Sequence, residues 1–530
     1  MLDVKRPKES TCPPPSLDGL PTELQARVLA PLRLVQLCRV RSIPPPRRRS
    51  STRPLPHARQ TGESIPPGFS IRINKPGVDY ALQVATHEIN QLVSRLEIPD
   101  FELEKGRATV NASDVKITNY ELPAFRLAFN KYDSEFDLQA GRAAIKVTGN
   151  WSATYRIIGK LKDDGQFALA ADNVYVVSNF KLDQLEKQRL AIRDFRCTAY
   201  MDKVQFKLYN GGLAGFILNI FIKLLSGKIT RGVQEQLCNQ TKTVVDTNVN
   251  KLLESYPLHY DFLNYYRADF SIVDKPRVSM DLIESFHNGE IRAISGHRAY
   301  EINPAPLVKT AADSGKMINI FLSDYIFNSF LHHAHINKKT QVVVSKEKYP
   351  KAEKVLAFTC KGVLFCLGDL FPQLHDKHPE GHGELDLKTA KAPVLSVKQD
   401  KLFLEAHVVM GVFSQTADGK RIHACDITLG FASDVKLSVR NPGTDHSKLR
   451  ARLDIKLLRV DAIADKEIHI DREKLQKLFD DSKFLIGVIL NSVVGKGTKF
   501  PNYKKYYIDD PSVVFGQRTI VINSNVLKAL

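Results

Sequence analysis

Apolar positions along the chain switch between two periods, and the switches mark the elements. From Val78 onward Val78, Leu82, Ala85, Ile89, Leu92 and Leu96 recur three or four residues apart, which predicts an amphipathic helix that begins after the break at Pro76-Gly77 and stops before Pro99. Between about 101 and 209 the period becomes two. The run Val204-Gln-Phe206-Lys-Leu208 alternates cleanly, Val174-Tyr175-Val176 fits less well, and turn residues such as Lys162-Asp-Asp-Gly165 punctuate the stretch. Connections this short hold no crossover helices, so the sheet is antiparallel. Past Asn210-Gly-Gly212 the helical period returns, with Leu213, Phe216, Ile217, Ile220, Phe221, Leu224 and Leu225 forming a wide apolar face continued by Ile229, Val233 and Leu237. No proline interrupts Gly211 to Tyr256. Even 35 residues of such a helix would reach about 50 Å.

The second half repeats this order. A short helix is expected over Leu322–Leu331. Strands are expected in the Cys360 and Cys366 run, over Val394–Phe413 and Ile427–Val439, and over Ala451–Leu457. A second long helix is expected over Asp471–Val494, with Leu475, Leu478, Phe484, Leu485, Val488 and Ile489 on its apolar face, and a final strand over Thr519–Ile522. Asp79-Tyr80 and Asp324-Tyr325 sit near the starts of the two first helices. A duplicated unit is the economical explanation. The fold class is α+β, in two pseudo-repeated halves. The expected division is a leader at 1–65, a first domain at 66–283, a linker at 284–310 containing Pro304-Ala-Pro306, a second domain at 311–500 and a terminal strand region at 501–530.

Composition changes the picture mainly at the start of the chain. Hydrophobic content of 43% and charged content of 25% are ordinary for a globular protein. The net charge is +18, of which residues 1–60 hold +8, with twelve Lys/Arg against four Asp/Glu. The same segment carries 11 of the 27 prolines, including Pro13-Pro-Pro15 and Pro44-Pro-Pro46, followed by Arg47-Arg-Arg49. It lacks the apolar surface to offset its ordering entropy and is read as a disordered, solvated tail, with no nucleic-acid partner. The longest apolar run, Leu213–Leu225, contains Asn219 and Lys223 and falls short of the about 20 residues a membrane span needs. Val28–Cys38 is interrupted by Pro31, Arg33 and Gln36 and makes no secretory signal.

Candidate chemistry is sparse. Gly-x-Ser-x-Gly, P-loop and His-Glu-x-x-His patterns are absent, so no enzyme is expected. His332-His333-Ala-His335 and the group His375, His378, His382 lack an acidic or cysteine partner at ligand spacing, so neither a metal nor a cofactor is expected. The seven cysteines match no zinc ribbon. Cys12 and Cys38 lie in the leader, Cys197 in a strand-like run, Cys238 in a helix-like run, and Cys360, Cys366 and Cys425 in the second half without an assigned pairing. Asn111, Asn150 and Asn239 head glycosylation sequons.

The runs Ile73-Asn-Lys-Pro-Gly-Val-Asp-Tyr-Ala-Leu-Gln83, Leu96-Glu-Ile-Pro-Asp-Phe101 and Leu322-Ser-Asp-Tyr-Ile-Phe-Asn328 resemble the family of bactericidal permeability-increasing and lipopolysaccharide-binding proteins, whose layout phospholipid and cholesteryl-ester transfer proteins share. So does the separation of Cys197 and Cys238. The resemblance covers about residues 66–530. It implies a boomerang of two barrel-like domains joined by a central sheet, an apolar pocket under the helices of each, a Cys197–Cys238 disulfide, and secretion into an oxidising compartment. On that implication the leader is suspect as the native N-terminus. The implied pocket residues are Val78, Leu82, Ala85, Ile89, Phe216, Ile220, Leu224, Tyr325, Phe327, Phe330, Leu331, Phe484, Leu485 and Val488. The implied function is extracellular binding of phospholipids or other acyl lipids for carriage or transfer, with membrane or lipoprotein surfaces as further partners. The alternative is an innate-immune effector that binds bacterial lipopolysaccharide. Endotoxin-binding members cluster lysines at the tip of the first barrel. Here Glu102 and Glu104 dilute Lys105 and Arg107, and the next tip stretch offers only Arg156 and Lys160, which favours phospholipid.

Overall fold

A computed structural model describes residues 65–528 apart from 84–96, 122–123, 130–134, 157–159, 186–187, 210–214, 280, 296–298, 363–365, 417–418, 445–446, 466–469 and 500–505. The leader expected at 1–65 therefore lies outside the described residues except for Ile65.

The two halves meet in one six-stranded sheet. Its strand order is Ile272–Ser279, Leu282–His287, Phe69–Asn74, Ile318–Ser323, Thr519–Lys528, Tyr506–Phe515, so each half supplies three adjacent strands. The two middle strands run antiparallel, with Phe69 opposite Leu322 and Ile73 opposite Ile318. A ladder of buried amides fixes that register: Asn74 Nδ2 donates to Asn319 Oδ1 at 2.7 Å, and Asn319 Nδ2 donates to Asn523 Oδ1 at 2.7 Å. The carboxylate of Glu284, fully buried, accepts from Ser70 Oγ at 2.9 Å and pairs with Lys309 at 2.6 Å and Arg72 at 3.5 Å. Burying that charge is tolerable only because it is so partnered.

Each middle strand runs directly into a helix, over 75–83 in the first half and Asp324–Ile336 in the second. In the second, the Ser323 side chain caps the helix by accepting from the Tyr325 backbone N–H. The first starts before the expected break. Pro76 lies in its opening turn, where a missing N–H costs nothing. The expected continuation to Leu96 lies outside the described residues.

A meander follows in each half. The first curls Ala108–Tyr120, Glu135–Arg156, Lys160–Gln184 and Leu190–Tyr209 into one antiparallel sheet, with strands of up to 25 residues. Register shifts at Ala140/Ala143 and Ala170/Asp172 insert extra residues, and such bulges raise the local twist and bend these long strands. The helix Gly215–Val244 closes the curl. Its Leu225, Ile229 and Val233 are buried against Val147, Trp151, Phe167 and Leu169. The second meander uses His382–Thr389, Lys401–Gln415, Arg421–Arg440 and Lys448–Asp465 beneath the helix Arg472–Val494. After its long helix, each half returns two strands to the central sheet.

Two expectations are corrected. The single strand over Val394–Phe413 is a hairpin, Val394–Lys398 paired with the start of Lys401–Gln415 around Gln399-Asp400, where Asp400 takes φ +60°. The Cys360 and Cys366 run holds no strand among its described residues. Glu353–Leu356, Leu367–Leu370 and Pro372–Lys377 are short helices that plug one end of the second barrel. Cys366 caps one of them, with Asp369 returning a bond to its backbone, and Pro372 opens another. The stretch 284–310, expected as a linker, finishes one central strand at His287. It then places Ile291–Ala293 in a three-stranded sheet with Tyr266–Asp269 and His259–Phe262.

Candidate functional site

Each barrel holds two apolar clusters, and the pair differs in how completely the protein covers it. In the far part of the first barrel, nineteen buried side chains outnumber ten half-buried ones among the described residues. Where that barrel joins the central sheet the ratio inverts. Phe136, Phe180, Leu182 and Val278 are buried, but twice as many, among them Leu127, Phe129, Phe195 and Ile283, stay half-buried. Phe136 and Phe180 meet edge to face, centroids 4.0 Å apart. Val278 and Ile283 come from the central-sheet hairpin, so this junction is lined by barrel strands on one side and the shared sheet on the other.

The second half mirrors this. Its far cluster contains fourteen buried side chains, while the junction contains six, Leu395, Val397, Leu402, Val435, Leu453 and Ile520, against ten half-buried. Phe327 and Leu331, one helical turn apart on Asp324–Ile336, and Leu490 of the long helix pack onto it, with Val513 and Phe515 from the central sheet. These lining side chains are hydrocarbon throughout. Half-covered apolar surface of this kind leaves room for further apolar burial, which yields roughly 0.8 kcal/mol per methylene.

The implied pocket residues divide. Phe327 and Leu331 lie at the second junction. Tyr325 and Phe330 pack elsewhere: Phe330 packs edge-on to Tyr266 at 4.9 Å, and Tyr325 lies 5.7 Å from Tyr300. Burial pushes the Tyr325 hydroxyl's pKa well above its usual value, so it stays protonated. Val78 is buried and Leu82 half-buried on the helix over 75–83. Ala85 and Ile89 lie outside the described residues. So do the side chains of Phe216, Ile220, Leu224, Phe484, Leu485 and Val488, although their backbones are helical. The strand residues at the junctions, Phe136, Phe180, Leu395 and Leu453 among them, escaped the sequence reading. Their alternation is visible, but nothing in it tells which end of a long strand adjoins the central sheet.

A cleft of about 540 Å³ runs between the last meander strand and the long helix of the first barrel, lined by Val204, Phe206, Ile222 and Thr230 with Arg231 at its edge. The matching cleft in the second half, about 560 Å³, is charged. There Arg472 donates to the Val460 carbonyl, and Gln476 bonds both Val460 N and Leu458 O, so the polar groups of this cleft serve to hold helix to strand.

Cys197 and Cys238 are bonded, tying the strand Leu190–Tyr209 to the helix Gly215–Val244. A second disulfide, Cys360–Cys366, braces the plug of the second barrel, and Cys425 is buried outside both disulfides. Cys360, Cys366 and Asp369 are the described residues grouped closely enough to hold a metal, but the two sulfurs are bonded to each other. The histidine groups disperse: His333 faces Glu290 at 3.7 Å, His335 bonds Thr389 at 2.6 Å, and His375 adjoins Asp376. Asn111, Asn150 and Asn239 are exposed. At the first barrel's tip Glu102, Glu104, Arg107, Arg156 and Lys160 are all exposed. No helix among the described residues is long and apolar enough to cross a membrane.

A tandem of curled sheets, each closed by a long helix and fused through one shared sheet, defines a two-barrel protein with half-buried apolar side chains at both joins. The chain belongs to the LBP / BPI / CETP family: the family's N-terminal domain matches residues 77–255 and its C-terminal domain residues 263–527. It is 24% identical over 348 residues to a bactericidal permeability-increasing protein of Sebastes schlegelii, covering 65% of this chain and 71% of that one. The human lipopolysaccharide-binding protein is 21% identical over 353 residues, covering 66% and 71%. The human phospholipid transfer protein is 19% identical over 399 residues, covering 74% and 76%. A crystal structure of lipopolysaccharide binding protein shares the fold with a TM-score of 0.54 at 18% identity, over 88% of this chain and 100% of that one. The family is one of lipid-binding and lipid-transfer proteins.

Proposed function

We propose that the chain is an extracellular carrier of phospholipid or another acyl lipid, holding hydrocarbon chains in the two junctions and the head group toward solvent. The observation that carries this reading is the inverted coverage there, more half-buried than buried apolar side chains, beside far cores that are properly closed. The barrels at 66–283 and 311–500 would each take lipid, and the site needs no catalytic group. Relatives named for phospholipid transfer and for lipopolysaccharide binding support the ligand class. Exposed Glu102 and Glu104 favour phospholipid over the multiply anionic lipopolysaccharide, since like charges at the tip repel its phosphates.

The test is native mass spectrometry and lipid extraction of the full chain secreted from animal cells, joined to a vesicle-to-vesicle transfer assay. Bound diacyl phospholipid and accelerated phosphatidylcholine transfer are expected. Protein that is lipid-free and inactive in transfer contradicts the reading. Displacement of bound lipid by lipopolysaccharide without any transfer favours the defence role instead.

A further inference from the structure

The three-stranded sheet between the halves ends in a turn that is unusual in sequence, conformation and exposure. Phe262–Tyr265 closes the hairpin, with Tyr265 N–H donating to the Phe262 carbonyl at 3.3 Å, and its two central residues take φ of +50° at Leu263 and +58° at Asn264. Two left-handed central residues make the tight turn that matches strand twist, and asparagine or glycine normally supplies them. Asn264 conforms. A leucine there is strained by its Cβ.

Leu263 is also the most exposed large apolar side chain among the described residues, at 66%. Tyr260, Tyr265 and Ile294 beside it are exposed too, and Ile294 N–H donates to the Tyr265 carbonyl at 2.9 Å. Positive charge borders this knuckle. The Lys339 ammonium stands 3.6 Å from the centre of the Tyr265 ring, and Lys338 next to it is exposed. The nearby acid, Asp261, is occupied by Arg267 through bonds of 2.7 and 2.9 Å. The sheet behind the turn is anchored, since Tyr266 and Phe262 pack on Phe330 of the helix that also carries Phe327 and Leu331 at the second junction.

We infer that this knuckle docks the protein on an anionic phospholipid bilayer, inserting Leu263 between head groups while Tyr260 and Tyr265 sit at head-group level and Lys338 and Lys339 meet lipid phosphates and carboxylates. A leucine at the tip, tyrosines behind it and lysines at the rim match the gradient from acyl chain to charged surface, each group meeting its preferred depth. The rigid tie through Phe330 places the helix over the second junction directly behind the contact. The inference takes its purpose from the carrier reading, but its chemistry stands apart from whether lipid occupies the junctions.

The test uses the full chain and co-sedimentation with phosphatidylcholine vesicles, with and without phosphatidylserine. Wild-type protein is expected to bind the phosphatidylserine vesicles more tightly. Leu263→Gly removes the inserted side chain and relieves the left-handed strain, so binding should weaken about tenfold while Tm stays level or rises. The double variant Lys338→Glu/Lys339→Glu should weaken binding to anionic vesicles by roughly twentyfold or more and reduce its salt dependence. Both variants should keep the wild-type content of co-purified lipid. A wild type indifferent to phosphatidylserine, or both variants binding within twofold of wild type, overturns the inference. Loss of co-purified lipid from wild type, with vesicle binding still sensitive to Leu263, would instead count against the carrier reading alone.

Discussion

Removing the Cys197–Cys238 disulfide by Cys197→Ser/Cys238→Ser should destabilise the first barrel by about 4 kcal/mol, and by a route that can be separated from loss of packing. The bond closes a loop across 41 positions, and the chain-entropy relation gives about 4 kcal/mol for that length but only about 2 kcal/mol for a loop of the Cys360–Cys366 size, which spans 6. In the folded protein the helix has other anchors. Leu225, Ile229, Val233 and Leu237 are buried in the barrel, and Asn250 beyond its end exchanges two hydrogen bonds with the backbone of Ile192 on the same strand that carries Cys197. The helix should therefore stay docked, with the loss arising in the unfolded chain. The sole tryptophan, Trp151, is 2% exposed in this core and donates its ring N–H to the Gln166 carbonyl, so its fluorescence reports the first barrel. In urea, the Trp151 transition should move to lower midpoint in the first variant and barely move in Cys360→Ser/Cys366→Ser. Hydrogen exchange of the Ile229–Leu237 amides in native buffer should show no local opening. A larger Trp151 shift from the second variant, or a detached helix in the first, would refute the reasoning.

Further outcomes follow from the same geometry. Glu284→Ala strands Lys309 and Arg72, which are 28% and 15% exposed, and should cost about 3 kcal/mol in denaturant unfolding, toward the low end for a broken buried pair because Lys309 reaches water; a cost below about 1 kcal/mol would mean that the pair does not hold the shared sheet. His287 donates from Nδ1 to the Phe270 carbonyl and accepts at Nε2 from Ser285, and burial pushes its pKa from 6.5 down to about 4. The unfolded chain binds that proton first, so stability is full above pH 6.5 and declines toward pH 4 by up to roughly 3 kcal/mol; His287→Gln should flatten that stretch of the stability curve, and an unaltered slope counts against it. Phe327→Glu and Leu331→Glu each put a charge into the second junction and should lower its retained lipid about tenfold, read by mass spectrometry, with the Trp151 transition unmoved.

Element order was legible in the sequence because period-two and helical stretches are long here, and long runs leave little ambiguity. The helix Arg472–Val494 lies within one residue of its expected start and matches its expected end. Pairing across the halves was not legible. Phe69–Asn74 and Ile318–Ser323 are six residues each, too short to announce a partner some 250 positions away, and their register depends on the buried Asn74–Asn319–Asn523 bonds. The Cys360–Cys366 region misled because its apolar residues suit a strand, while Gly368 and Pro372, which mark breaks and helix starts, carried the better signal. As for the site, Phe327 and Leu331 came from the family resemblance and not from periodicity. The barrel strands behind them are buried on one side along most of their length, so alternation alone could not single out the junction ends.

In the proposed carrier, acyl chains lie at the two junctions and not in the far cores. A phospholipid with a photoreactive group at the end of one acyl chain, loaded into the full chain and activated, tests it most directly. Adducts are expected on junction residues, Phe136 and Phe180 in the first half and Phe327, Leu331 and Leu453 in the second. Adducts concentrated instead around Trp151 and Phe167, or around Phe358 and Phe371, would place the chains in the closed cores and contradict the account.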